Sequence, residues 1–131
     1  YPNLMAYPTG KTTGMVGVLK APREPYAWRA NNFRRPAAKD LVVYEMLVRD
    51  FTTQRTFRAA MDSLQYLKRL GVNCIELMPV SEFDGNNSWG YNPAFYCAVD
   101  KYYGTETNLR EFVDSAHALG PLIHGGTDGW W

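Results

Sequence analysis

Two apolar, β-rich runs with an amphipathic segment between them are the feature that most constrains the fold of this chain. Residues 41–48 form a nearly continuous apolar, β-rich run and residues 72–78 a second, mostly apolar one, which predicts two strands of a buried, parallel sheet. Between them we predict a helix that Thr56 caps and Gly71 ends, because apolar residues recur there at every third or fourth position: Phe57, Ala60, Met61, Leu64, Leu67 and Leu70. Strand, helix and strand together predict a βαβ unit.

A second helix follows the second strand after a long connection. Pro79 closes that strand, and a helix is predicted from Thr105 or Glu106 to Gly120, its C-cap. The loop between them is roughly 25 residues long, and loops longer than about 15 residues in compact domains are usually functional. Residues 121–131 begin with proline and are rich in glycine, so a strand there is at most three or four residues long and not a central barrel strand.

Residues 1–40 differ in composition and hydrophobic pattern from the rest of the chain. Most of the prolines lie there, no helical period is present, and residues 14–19 are the best candidate for a strand. Residues 21–25 predict an extended linker, since each proline restrains the residue before it. We therefore divide the chain into a β-rich irregular arm (1–40), an α/β part with two strand–helix units (41–120) and a divergent Gly-rich tail (121–131).

Composition excludes several classes of partner. The 14 basic and 13 acidic side chains nearly cancel to a net charge of +1, which argues against a nucleic-acid surface or a polybasic membrane anchor. No apolar run is long enough to span a bilayer, so we expect a soluble chain, and the compartment stays open because a signal could have been removed upstream. Cys74 and Cys97 lack the companions that a metal site or a disulfide framework requires, and no cofactor is expected.

The long loop carries the candidate binding residues. Asp84, Trp89, Tyr91 and Asn92 lie just after the second strand, where parallel α/β folds place ligand sites. Sugars present hydroxyl edges and weakly apolar faces, so rings beside carboxylate and amide groups suit carbohydrate contact. The alternative is a structural one, in which an Asp-Gly turn is followed by aromatic side chains that pin the loop to the sheet.

Other polar groups near the strand ends are weaker candidates. Glu82 and Asp84 are two residues apart in an extended segment and would point to opposite sides, which makes them a poor catalytic pair. The oxygen-rich turn 84–88 lacks the EF-hand spacing and its terminal glutamate, so calcium is not supported. Arg49 and Asp50, at the end of the first strand with Tyr44, could face a site or could equally pair with loop backbone.

Four segments, in order and spacing, resemble the opening of the α-amylase family barrel: residues 42–51, 67–80, 89–96 and 103–105. The resemblance covers about residues 41–120, and the proline-rich segment before it resembles the junction with an accessory β domain in larger family members. It implies part of a (β/α)₈ barrel, activity on α-glucans such as starch by a retaining mechanism, and a sugar-stacking role for Tyr91. A complete barrel takes roughly 250 residues, so the matching part is about a third of one.

The departures from the family pattern bear on activity. Where the family's third strand carries an Asp and then an Asn-His pair, residues 121–125 stand here, and His124 is not a credible substitute. The family's nucleophile, its acid/base and its second aspartate have no counterpart in these 131 residues. We therefore expect an inactive part of a glycosidase, with no catalytic residue of its own.

Three hypotheses stay open at this point. The chain retains glycosidase activity, binds α-glucan oligosaccharides weakly through Trp89 and Tyr91, or is a truncated product without independent function, the last being favoured. Two strands with two helices also leave strand edges unpaired, so we expect self-association.

Overall fold

A three-stranded parallel sheet organises the computed structural model, which describes residues 4–6, 14–17 and 25–125. Its strands are β3 (Val43–Met46), β4 (Cys74–Leu77) and β7 (Leu122–Gly125), in the order β3-β4-β7. Cys74 lies opposite both Val43 and Leu122 in the two ladders. The predicted α/β class, a partial barrel that opens with strand–helix units, is confirmed, and β4 is the strand that pairs on both edges.

The helix predicted between the first two strands begins where expected but is broken in the middle. It forms α2 (Phe57–Asp62) and α3 (Leu64–Arg69), and Thr56 caps α2 by accepting a hydrogen bond of 3.3 Å from the Ala59 amide. At Ser63 the hydroxyl donates to the Ala59 carbonyl at 3.3 Å. A serine that bonds back to the preceding turn competes with the helical ladder and bends a helix, which accounts for the interruption.

The second predicted helix is confirmed as α4 (Glu106–Leu119). Thr105 and Asn108 form a reciprocal capping box at its start, since each side chain bonds the other residue's backbone amide. Gly120 ends the helix with φ of 111°, a left-handed conformation that side chains other than glycine disfavour. The short helix α1 (Val48–Phe51), which the sequence did not predict, follows β3 directly.

The core lies between the helices and the sheet. Ile75 and Leu77 on β4 are fully buried, and so are Phe57 on α2 and Phe112 on α4. The Phe57 ring is 6.3 Å from that of Phe112 and 5.9 Å from that of Tyr103, so aromatic contacts join the two helices to the loop before α4.

The first strand is shorter and more exposed than the sequence predicted. Residues 41–48 were expected to form a strand buried on both faces, but β3 covers Val43–Met46, and Val42 and Val43 are 50% and 52% exposed. Within the described part of the chain, β3 pairs with β4 alone and is an edge strand. An edge strand with one uncovered face keeps its apolar side chains in water, which is why the expected burial does not occur.

The long connection is structured rather than a plain loop. It contains β5 (Ser81–Phe83) and β6 (Pro93–Val99), which pair antiparallel with two register shifts. The sequence did not predict this hairpin, because β5 has only three residues and irregular pairing breaks the alternation by which strands are recognised.

The start of the segment assigned to the tail belongs to the sheet. Leu122–Gly125 pairs in parallel with β4 as β7, and the Leu122 amide donates to the Asn73 carbonyl at 2.9 Å. The strand has four residues and lies at the edge of the described sheet, so its length agrees with the limit expected from sequence. Residues 126–131 lie outside the described part.

The arm contributes a small hairpin and a segment that docks on α4. β1 (Leu4–Ala6) and β2 (Met15–Gly17) pair antiparallel, and β2 falls within the predicted strand 14–19. Most of the predicted linker 21–25 lies outside the described residues. No helix in the described part of the chain is long and apolar enough to cross a membrane.

A buried carboxylate on α4 binds the docked part of the arm, beside the stacking of Phe33 on His117. Asp114 on α4 accepts hydrogen bonds from the Tyr26 hydroxyl at 3.2 Å, the Arg29 amide at 3.0 Å and the Ala30 amide at 2.9 Å. The Arg29 guanidinium adds an ion pair at 2.8 Å. Burial alone would raise the pKa of Asp114, but these donors outweigh burial and hold the pKa below its ordinary value.

The exposed β3 edge leads to a prediction about self-association. If the chain self-associates through this edge, as the sequence predicts, Val43→Lys should weaken the association roughly tenfold, because a lysine on a strand edge opposes pairing and one buried valine is worth about 1.5 kcal/mol or more. The association constant is measured by light scattering over a dilution series. Tyr66→Lys on α3 is the matched control, since Tyr66 is 51% exposed but not on a strand. Equal weakening by both variants would contradict a role for the strand edge.

Candidate functional site

The candidate site is the loop of residues 84–92, which joins β5 to β6 beyond the carboxyl end of β4. A Cβ atom added at Gly90 would lie 2.7 Å from the Pro79 carbonyl oxygen, so the loop backbone touches the chain that leaves β4. Gly90 also has φ of 90°. Only glycine satisfies both conditions without strain, and the loop is thereby folded back over the end of the sheet.

All four sequence-predicted binding residues lie in this loop and are exposed, but one of them already forms a side-chain hydrogen bond within the loop. Trp89 and Tyr91 flank Gly90 and are 64% and 51% exposed, so neither ring is buried as a structural pin. Asp84 is also exposed at the start of the loop. Asn92 is exposed but accepts a short hydrogen bond from the Ser88 hydroxyl, and its oxygen is therefore used in shaping the loop.

Arg49 contacts the loop from the first strand–helix unit. Its guanidinium donates to the carbonyl oxygens of Asn86 at 3.2 Å and Ser88 at 2.9 Å, and it pairs with the Asp50 carboxylate at 2.7 Å. The hydrogen bond from Arg49 lowers the pKa of Asp50 below its ordinary value. The sequence left open whether Arg49 faces a site or pairs with loop backbone, and the structure shows the pairing with loop backbone.

Glu82 and Asp84 do not form a catalytic pair. Glu82 is fully buried on β5 and forms an ion pair with the Lys101 ammonium, and its second oxygen accepts the Lys101 amide at 3.0 Å. Asp84 is exposed, as the expected opposite orientation requires. Glu82 therefore ties the base of the hairpin together. Nothing in the spacing of Glu82 and Lys101 signalled this pairing, since it depends on the unpredicted hairpin.

A second buried carboxylate lies beside this pair. Asp100 has no exposed surface; its Oδ1 accepts the Tyr102 amide at 2.8 Å, and its Oδ2 has no hydrogen-bond partner among the residues that the structure describes. Burial raises the pKa of Asp100 to about 6. The nearby Glu82 carboxylate also raises this pKa, whereas the hydrogen bond from the Tyr102 amide lowers it. Burial likewise raises the pKa of Tyr103, whose hydroxyl is also buried and has no hydrogen-bond partner in the described part of the chain.

The described residues contain no group of three His, Cys, Asp or Glu side chains that could hold a metal ion. The arrangement suits contact with a ligand rather than bond cleavage. Its exposed groups are two aromatic faces, a carboxylate and an amide, held on a backbone that is fixed at Gly90 and by Arg49. Such a surface can stack on a flat, weakly apolar ligand and bond to its polar edge.

Parallel strands alternating with helices define a part of an α/β barrel, and the aromatic loop lies at the carboxyl ends of those strands. The α-amylase catalytic domain model matches residues 52–123, which is just over half of the chain. The chain therefore belongs to the α-amylase family, through part of its catalytic domain, and the resemblance found in the sequence is confirmed.

Individual relatives agree with this assignment. The chain is 36% identical over 110 residues to malto-oligosyltrehalose trehalohydrolase of Saccharolobus solfataricus, covering 84% of this chain and 20% of that protein. It is 41% identical over 95 residues to the enzyme of the same name from Deinococcus radiodurans, covering 72% of this chain and 16% of that protein. The chain thus spans about a fifth or less of the length of these relatives.

A solved structure shows the same fold. A crystal structure described as an α-amylase of Salmonella typhimurium superposes with a TM-score of 0.72 at 36% identity, over 80% of this chain and 19% of that one. The partial barrel inferred from sequence is therefore found as part of a larger known architecture.

The contact at Gly90 leads to a prediction about stability. Gly90→Ala should lower the free energy of unfolding by about 3 kcal/mol or more, because it combines left-handed strain with a clash against a backbone carbonyl. Gly85→Ala is the control: Gly85 has φ of 68° but open space around it, so only the strain of about 1 kcal/mol applies. Urea unfolding followed by circular dichroism measures both. Equal losses would show that the approach to Pro79 does not constrain the loop.

The burial of Asp100 leads to a prediction about pH. Because its pKa in the folded state, about 6, lies above the ordinary value of 3.8, folding favours the protonated form. Its contribution is therefore most favourable below pH 4 and is lost as the pH rises to about 6, at a cost of about 1–3 kcal/mol. The difference in unfolding free energy between wild type and Asp100→Asn should change by this amount between pH 4 and 7. A constant difference would mean that folding leaves the pKa of Asp100 at its ordinary value.

Proposed function

We propose that these residues form the opening of a catalytic barrel that acts on α-glucans, and that loop 84–92 supplies one wall of its sugar-binding cleft. The observation that carries the proposal is the exposure of Trp89 and Tyr91 on a loop fixed at the carboxyl end of a parallel sheet. In parallel α/β folds, ligands bind at that end of the strands. The names of the relatives, which are malto-oligosaccharide-related hydrolases, support an α-glucan as the ligand.

The physical case rests on how a ring binds a sugar. A glucose unit presents C–H groups on one face, and an aromatic ring that is already in position covers that face without losing much conformational freedom. The exposed carboxylate of Asp84 and the amide of Asn92 are polar groups that can bond to sugar hydroxyls at the rim. The family resemblance implies a sugar-stacking role for Tyr91, and the exposure of its ring supports that role.

Bond cleavage is not part of the proposal for these 131 residues alone. Glycoside hydrolysis uses two carboxyl groups about 5 to 9.5 Å apart on either side of the bond. In this chain Glu82 is buried in an ion pair with Lys101, and Asp84 faces solvent. The binding wall is therefore the function that the described site supports best.

The prediction that tests the proposal concerns Tyr91. Tyr91→Ala should weaken maltoheptaose binding by about 1 kcal/mol, or roughly fivefold, because a single ring on an open surface is only partly desolvated. The thermal midpoint should hardly change, since the ring is exposed. Calorimetric titration of wild type and variant measures binding, and thermal melts measure stability. Tyr66→Ala on α3 is the control, because it removes an equally exposed tyrosine far along the chain from the loop.

Two results would count against the proposal. A stability loss of about 3 kcal/mol or more in Tyr91→Ala would identify the ring as a structural element. Absence of maltoheptaose binding by the wild type would contradict the proposal that loop 84–92 binds α-glucan in this chain. Reducing-sugar release, assayed in the same samples, is expected to be absent; turnover abolished by Glu82→Gln or Asp84→Asn would restore the enzyme hypothesis.

A further inference from the structure

Arg49 connects the first strand–helix unit to the loop that carries the exposed rings. Its side chain is 14% exposed, and Nη1 donates to the carbonyl oxygens of Asn86 at 3.2 Å and Ser88 at 2.9 Å. Nε and Nη2 donate to the two carboxylate oxygens of Asp50 at 2.7 and 3.0 Å. Every nitrogen of the guanidinium is therefore engaged.

The planar shape of the guanidinium makes this arrangement rigid. A bidentate carboxylate on one edge fixes the plane of the group, and the remaining nitrogen then points at the two loop carbonyls in a set direction. Rotation of the side chain to any other rotamer would break bonds on both sides at once. Lysine has a single ammonium without a fork, so it cannot bond a carboxylate bidentately while holding two carbonyl oxygens in one plane.

A short path of bonds leads from these carbonyls to the rings. Ser88 is followed directly by Trp89, and its hydroxyl accepts the Gly90 amide at 2.9 Å and donates to Asn92. Tyr91 lies between Gly90 and Asn92, so its backbone belongs to this turn while its ring stays exposed. Fixing the carbonyl groups of Asn86 and Ser88 therefore fixes the backbone from which both rings project.

We infer that Arg49, oriented by Asp50, is the positioning residue for the aromatic pair Trp89 and Tyr91. It acts through the loop and not by contact with sugar. The role rests on the proposed function for its α-glucan ligand, whereas its effect on the loop is measurable without any ligand.

The experiment uses the full chain with Arg49→Met, Arg49→Lys and Asp50→Asn. Arg110→Met is the matched control, because Arg110 also pairs with a carboxylate, that of Glu106, but on α4. Three readouts are compared: the rate of chymotryptic cleavage after Trp89 or Tyr91, located by mass spectrometry; the ¹⁹F spectrum of 5-fluorotryptophan at Trp89, assigned with Trp89→Phe; and maltoheptaose affinity.

Arg49→Met should accelerate cleavage in the loop roughly tenfold, since hydrogen bonds from a charged donor to two carbonyls close the loop against local opening. The Trp89 resonance should shift or broaden while that of Trp28, in the arm, stays in place. Affinity should fall roughly fivefold or more, because the loop must then be ordered on binding. Arg49→Lys and Asp50→Asn should give smaller changes in the same direction, and Arg110→Met none.

A folded Arg49→Met with wild-type cleavage and an unmoved Trp89 resonance would overturn the inference, and so would unchanged affinity in a wild type that binds. If circular dichroism shows that Arg49→Met is unfolded, Asp50→Asn is tested by the same readouts. Wild-type values of those readouts in Asp50→Asn would then overturn the role of Arg49. Failure of the wild type to bind maltoheptaose rejects the proposed sugar function, while cleavage and the ¹⁹F signal still judge Arg49.

Discussion

The pairing of β4 on both edges is the constraint on which the rest of the structure depends. Cys74–Leu77 pairs with β3 on one side and β7 on the other, so strands that are distant in sequence bond to its backbone on both edges. With both ladders in place, Ile75 and Leu77 are held in the core against the helices. The direction of the sheet then determines where the chain emerges at Pro79, and hence where the loop is built.

Polar groups with little exposure help to shape the region around the loop, beside the buried contact of Phe83 with Tyr103. Glu82 and Lys101 join the two strands of the hairpin, and Arg49 joins the loop to the first unit. Each group is paired, which offsets the cost of removing its charge from water. Asp100 differs, because one of its buried oxygens has no partner within the described ranges and its pKa is raised. The rings of Trp89 and Tyr91 remain in solvent. Other residues, Arg49 among them, hold the backbone from which these rings project.

The sequence predicted what depends on local pattern and missed what depends on tertiary pairing. Thr56, Thr105 and Gly120 marked helix ends correctly because capping is a property of a few adjacent residues. The break at Ser63 and the hairpin β5–β6 were missed, since a single back-bonding hydroxyl and a three-residue strand leave no periodic signal. Trp89 and Tyr91 were predicted as binding residues from their chemistry and position, and that role stays a prediction. The pairing of Arg49 with loop carbonyls stayed one of two open alternatives until the fold was known.

The anchoring of the arm by Asp114 has a consequence for the order in which the chain folds during synthesis. Tyr26 and Asp114 are 88 positions apart, so a ribosome adding about 5–20 residues per second makes the donor roughly 4–18 s before the acceptor. During that interval the strands β3 and β4, only 31 positions apart at Val43 and Cys74, are already available to one another. The docked arm is therefore translated before the sheet but reaches its native contacts after α4 has emerged, and until then the hydroxyl and guanidinium of its docking side chains remain hydrated.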